Sequence, residues 1–303
     1  MVTELPRGVI GACLTPFLPD GGVDGRALEQ EIDFLAGHCD AISVLGAEVS
    51  EYRLLSDGDR RAWLRFAVQA VDRRVPVLAG ASSERPDEVA SLAEVAAAAG
   101  ADWVQVLMPR RPWGPQAGTA ELVGYFEMVA DRSPLPVVAY HNPTRGSDPP
   151  AEAMVAVGEI DGVAGFKESS RDMSRIGRLI AEIDVAGLAR YFTTMQPLLA
   201  TLLAGGSGAM MPAPATLIGA QVVRDFREGD LDAAAAAQAL FARFPGQWSS
   251  YGLAPVMKCA LGHLGIGMGN SPWPFASVGE QDAAAIGAYL AEASIPGAVA
   301  GAG

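Results

Sequence analysis

Eight times along the chain a short apolar run, often β-branched, gives way to a longer segment with helical periodicity. The runs are Val9–Leu14, Ala41–Leu45, Val75–Ala79, Trp103–Leu107, Val137–Tyr140, Val163–Phe166, Tyr191–Thr194 and Ala209–Met211. Strands of a parallel sheet are covered on both faces and joined by helical crossovers, so they read as continuous apolar runs and not as alternating ones. Eight such units predict an α/β fold of the (β/α)8 type, the TIM-barrel architecture, which takes roughly 250 residues. The chain has 303, and the pattern changes after the eighth unit. Asp230–Phe244, Pro255–Leu264 and Glu280–Ala293 read as helices with no strand between them. The expectation is a barrel over residues 1–228 and a helical C-terminal extension over 229–303 packed on it, ending in a disordered tail, SIPGAVAGAG.

A formal net charge of −13 and a pI near 4.7 oppose a polyanionic partner or an anionic membrane surface. No nucleic-acid or membrane partner is therefore expected. Cys13, Cys39 and Cys259 are odd in number and unpaired by spacing, which implies neither a disulfide framework nor a metal site. The first residues lack a basic segment followed by an apolar run, and no stretch sustains the 18 or so apolar residues of a spanning helix. A cytoplasmic location is expected.

Of 22 basic residues only Lys167 and Lys258 are lysine. Lys167 closes the run Val163-Ala164-Gly165-Phe166, where a barrel strand meets its loop and where active sites of such barrels lie. An amine among apolar walls loses its ammonium form and becomes a nucleophile for a ketone. Position alone leaves equally open a lysine that snorkels to solvent. Tyr140 ends the preceding strand, and neighbouring strands lie about 4.8 Å apart. Its phenol is therefore placed to carry protons for that amine. Without this neighbour it would read as a core tyrosine.

Gly11-Ala12-Cys13-Leu14-Thr15-Pro16-Phe17, Pro136–Tyr140 with His141-Asn142-Pro143-Thr144-Arg145, and Gly165-Phe166-Lys167-Glu168-Ser169 together resemble the dihydrodipicolinate synthase and N-acetylneuraminate lyase family. Pro76–Gly80, Gly100–Asp102, Ala204–Gly208 and Ala254–Lys258 add to the likeness, which spans nearly the whole chain. The resemblance implies a class I aldolase-type barrel with Lys167 as Schiff-base lysine and Tyr140 as proton-transfer tyrosine. Arg145 matches an arginine that synthases use on a substrate carboxylate. The resemblance further implies a homo-oligomer, tetramer or dimer, a small 2-oxo acid substrate, and no metal or organic cofactor.

Two departures bear on the substrate. Family members carry Gly-Thr-Thr-Gly-Glu after the second strand, whereas this chain has Gly46-Ala47-Glu48-Val49-Ser50-Glu51. Aligned on Glu51, Glu48 and Val49 take the threonine positions, and an ionised Glu48 would repel a bound carboxylate unless a cation intervenes. After the fourth strand the synthases' Thr-Pro-Tyr-Tyr is here Met108-Pro109-Arg110-Arg111. Arg110 and Arg111 are either a solvated loop or a site element that offsets Glu48 or binds an anion.

These residues predict a lyase or aldolase acting on a 2-oxo acid by aldol cleavage, addition or dehydration. The lost threonine and tyrosine argue against the dihydrodipicolinate condensation itself. Two alternatives stand beside this reading. One is a non-catalytic ligand-binding barrel, which the pairing of Lys167 with Tyr140 disfavours. The other is a hydratase-aldolase on an aromatic or apolar substrate walled by Trp113, Trp248 and the Met210-Met211 pair. His38 and His263 have no partner pattern, and His141, directly after Tyr140, is expected to point away from it; none of the three receives a role.

Overall fold

The computed structural model describes residues 4–143, 148–272, 274–275 and 277–293. Eight parallel strands pair in sequence order and close into a barrel. They are β1 (Gly8–Ala12), β2 (Ala41–Val44), β3 (Val77–Gly80), β4 (Trp103–Leu107), β5 (Val137–His141), β6 (Val163–Glu168), β7 (Arg190–Thr193) and β8 (Gly208–Pro212). All eight lie within two residues of the apolar runs read from the sequence.

The crossovers are α1 (Gly25–Ala36), α2 (Asp57–Val71), α3 (Pro86–Ala99), α4 (Thr119–Arg132), α5 (Ala151–Gly158), α6 (Met173–Leu179), α7 (Leu198–Leu203) and α8 (Thr216–Glu228). Local signals set their ends. The Ser56 hydroxyl accepts the Asp59 N–H at 3.1 Å to cap α2. Pro86 opens α3, and Gly100, at φ 102°, closes it. The crossover after β6 is α-helical only to Leu179 and continues as a wider π turn, Ile180–Val185.

Three helices follow the barrel: α9 (Leu231–Ala239), α10 (Leu253–His263) and α11 (Glu280–Glu292). The helix expected over Asp230–Phe244 stops at Ala239 and passes into 3-10 turns at Leu240–Ala242 and Gly246–Tyr251. Phe244 precedes Pro245, whose ring disfavours the α conformation of the residue before it. Arg145 and the tail 294–303 lie outside the described residues. No helix among the described residues is long and apolar enough to cross a membrane.

Side chains alternate between two apolar layers. Ile10, Leu78, Trp103, Val138, Phe192 and Met210 fill the barrel interior. Val137, Ala139, Phe166 and Tyr191 pack outward against the helices. One irregularity adjusts this alternation where it matters. Val137 pairs with Val163, but Val138 pairs with Gly165, so β6 carries one extra residue. The shift sets Tyr140 opposite Lys167 and His141 opposite Glu168.

Gly80 governs a second approach. A Cβ there would stand 1.8 Å from the Leu45 carbonyl oxygen and 2.6 Å from the Gly46 nitrogen. The backbone leaving β2 thus crosses directly over Gly80, with Leu45 in the left-handed region at φ 51°. Gly80→Ala is expected to destabilise the fold by about 1–3 kcal/mol, the usual range for overpacking. Urea unfolding of the variant checks this, and an unchanged midpoint would show that the crossing yields without cost.

Candidate active site

Lys167 follows the inward parity of Gly165, while Phe166 and Glu168 face the helix layer. Its amine lies 4.2 Å from the centre of the Tyr140 ring, and both residues are buried. Burial pulls the Lys167 pKa from 10.5 down to about 7, against the opposing pull of the Glu48 charge. Desolvation is the stronger effect, so a substantial share of the amine is neutral at neutral pH. Burial pushes the Tyr140 phenol well above its usual range; hydrogen bonds from Ser169 and Asn142 oppose the shift and the Glu48 charge adds to it. Asn142 Nδ2 donates to the phenol oxygen at 3.0 Å.

Both groups line a cavity of about 710 Å³ at the C-terminal ends of the strands. Barrel residues Glu48, Val49, Arg53, Arg171, Gln196 and Met210 form part of its wall. The extension supplies another part, from Pro245 through Tyr251 to Val256. A second cavity of about 450 Å³, beside Arg73, Arg74 and Asp102 at the opposite end of the barrel, holds none of these groups. No cluster of three His, Cys, Asp or Glu among the described residues could hold a metal ion.

Directly behind the strand ends that carry Lys167 and Tyr140, Glu168 is fully buried and well partnered. Its carboxylate meets His141 Nδ1 at 2.5 Å and accepts from the Ser170 N–H at 2.8 Å, Arg175 Nε at 3.2 Å and the Tyr191 hydroxyl at 3.2 Å. Burial pushes this carboxyl upward, but the hydrogen bond and charge of His141, with the Arg175 charge, hold it below the usual carboxylate range. The network ties together the ends of β5, β6 and β7 and the start of α6.

A model of the dihydrodipicolinate synthetase family matches residues 5–293. The chain belongs to this family. Its members are Schiff-base aldolases and lyases that act on pyruvate-type substrates. The chain is 33% identical over 207 residues to a 4-hydroxy-tetrahydrodipicolinate synthase of Salinibacter ruber, covering 67% of each chain. It is 31% identical over 242 residues to the putative 2-dehydro-3-deoxy-D-gluconate aldolase YagE of Escherichia coli, covering 77% of this chain and 78% of that one. The crystal structure of YagE with pyruvate superposes with a TM-score of 0.87 at 27% identity, covering 95% of this chain and 99% of that one.

Of the site residues expected for a family member, the structure brings Lys167, Tyr140, Glu48, Val49 and Met210 to one cavity. Arg110 and Arg111 are exposed and do not line it. Arg111 instead pairs with Glu121, in the first turn of α4. A guanidinium that sequence reading did not single out stands beside Glu48: Arg53 Nε lies 3.5 Å from Glu48 Oε1. The Tyr52 hydroxyl donates to the same oxygen at 3.1 Å. Trp113 is 92% exposed and Trp248 packs against Phe244 and Tyr289, so neither forms the wall expected of it, whereas Met210 and Met211 do. Sequence reading missed Arg53, Asn142, Arg171 and the extension's share of the wall. For Asn142 a signal existed, two residues beyond Tyr140.

The lowered Lys167 pKa gives a pH dependence of known sign. The neutral amine is the reacting form, so borohydride trapping of a 2-oxo acid at limiting concentration should rise with pH through about 7 and then level. Because the Glu48 charge favours the ammonium, Glu48→Gln should move the midpoint to lower pH. A midpoint above pH 9, measured by adduct mass spectrometry, would mark an ordinary solvated lysine.

Proposed function

We propose that the protein is a Schiff-base-forming lyase or aldolase that acts on a 2-oxo acid through Lys167. The observation that carries this reading is a buried amine with a pKa near 7, paired in register with Tyr140 inside an apolar cavity. Neutral Lys167 attacks the C2 ketone to give a carbinolamine. Loss of the former ketone oxygen as water leaves a protonated imine, which accepts the electron pair when the C3–C4 or a C3–H bond breaks, giving an enamine. Tyr140, held as a phenol, donates a proton to the departing hydroxyl and recovers one in the reverse direction. The 3-10 turn Glu48–Ser50 opens on the cavity. The first N–H groups of such a turn have no carbonyl of the turn to bond, and they suit the substrate carboxylate once Arg53 offsets Glu48. Met210 packs on the substrate from β8. Arg145 retains the role that the resemblance implies, holding a carboxylate or polyol at the far end. Arg111, paired with Glu121, takes no part, and the working unit is a homo-oligomer in the cytoplasm.

One observation favours the second enzymatic reading, a hydratase-aldolase on an apolar or aromatic 2-oxo acid. Leu54, Leu253 and Phe275 line the cavity and remain 40%, 41% and 54% exposed. An apolar substrate would cover them and gain about 25 cal/mol for each Å² removed from water. A polyhydroxylated chain would leave its hydroxyls facing hydrocarbon.

Incubation with pyruvate and a panel of aliphatic, polyhydroxylated and aryl 2-oxo acids, each with borohydride, should give a mass increase on Lys167. The panel member cleaved or dehydrated with saturation separates the two readings. Label on Lys258 alone, or no adduct with any member, would return the protein to a non-catalytic binding barrel.

Tyr140→Phe keeps the ring against Lys167 and removes the proton carrier. Turnover should fall by about 10²- to 10⁴-fold with the melting temperature little changed. Unaltered turnover would reduce Tyr140 to a wall of the cavity.

A further inference from the structure

The second lysine has no part in the reaction proposed above, yet it is as deeply buried as the first. Lys258 stands on α10 at 3% exposure, and its Nζ lies 2.5 Å from Glu51 Oε2. The contact has the geometry of an ion pair and not of a directed hydrogen bond. On another side Nζ lies 4.5 Å from the centre of the Phe17 ring. A second buried carboxyl, Glu31, accepts the Leu14 N–H at 2.9 Å, and burial pushes it well above the usual carboxylate range. With Glu31 held toward its neutral form, Lys258 and Glu51 balance one another.

A buried ion pair adds little stability over an apolar pair of the same size, because desolvation consumes the attraction. Its place in the fold supplies another use. Glu51 has φ 52° and joins two successive 3-10 turns, Glu48–Ser50 and Tyr52–Leu54. A non-glycine residue persists in that conformation only where its surroundings over-determine it. Residues of both turns line the cavity. The Thr15 hydroxyl donates to the Ser50 carbonyl and holds the first turn from the side of β1.

We propose that Lys258 is a positioning residue: reaching across from α10, it fixes Glu51 in the left-handed conformation and so sets the Glu48–Ser50 turn against the carboxylate end of the substrate. This rests on the reading of the cavity as a 2-oxo acid site. The extension would then take part in substrate binding through a charge as well as through its wall residues.

Lys258→Met in the full chain removes the ammonium and keeps a similar length. Two quantities are read: hydrogen exchange of the amides in residues 46–54, and the pyruvate concentration giving half-maximal borohydride labelling of Lys167. Exchange in 46–54 should accelerate at least about 10-fold with the strands unchanged. Half-saturation should rise by about 10-fold or more, while labelling at saturation stays on Lys167, the signature of lost binding and not of lost chemistry. Lys258→Met combined with Glu51→Leu leaves no uncompensated charge and should recover the melting temperature but not the half-saturation. Recovery of both together, or a single variant with exchange and half-saturation unchanged, would overturn the proposal and leave Lys258 a stability element. If Lys258→Met does not fold, the double variant decides alone. If the wild type takes no pyruvate label, the 2-oxo acid reading fails, and the exchange of residues 46–54 still decides whether Lys258 holds the turn.

Discussion

The extra residue in β6 moves its pairing with β5 by one position, and the chemistry of the site depends on that shift. Paired strands present matched residues to the same side. Without the shift Tyr140 would stand beside Phe166, and Lys167 would point into the helix layer. A one-residue slip exchanges every side chain between faces. Here it would trade an amine in a cavity for an ammonium among Phe166's apolar neighbours. The same shift aligns His141 with Glu168 on the outer side. The Lys167–Tyr140 pair and the buried carboxylate network behind it are therefore two faces of one registration.

The two sides of these strand ends treat charge in opposite ways. Outside, Glu168 is ionised and accepts from His141, Ser170, Arg175 and Tyr191, which makes its burial tolerable. Inside, Lys167 faces the Tyr140 ring, and burial outweighs the Glu48 charge that favours its ammonium. The outer network ties the strand ends together on the side opposite the amine. Rigid support behind a reactive group is what keeps reacting atoms within productive geometry.

Much of this was legible in the chain. Parallel strands announce themselves as continuous apolar runs, and a lysine and a tyrosine closing adjacent runs must meet at one end of a barrel. What escaped depends on distances that sequence order hides. Arg110 and Arg111 follow β4 directly and looked placed for the site, but the acidic first turn of α4 offers Arg111 a nearer partner in Glu121. Arg53 lies only five residues from Glu48, but two 3-10 turns, and not a strand or helix, bring them together, and such turns leave little periodic trace. Glu51 and Lys258 are separated by most of the barrel in sequence and meet only because the extension folds back over the strand ends. The helix expected over Asp230–Phe244 ends at Ala239 because alanine's helix propensity carries no information about where a helix stops, and Pro245 disfavours the α conformation just before it.

The chain's two lysines both face inward, one into the cavity and one into an ion pair, while every other basic side chain is a guanidinium. Thioesters, acyl phosphates and reducing sugars attack free amines and leave guanidinium groups largely alone, so lysine acylation and glycation find little purchase on this exterior. The amine best suited to react with them is the one at Lys167, which burial holds partly neutral and which lines the cavity at the strand ends. On the reading proposed above, such electrophiles would compete with the 2-oxo acid for the same amine, and an occupied cavity would shield it.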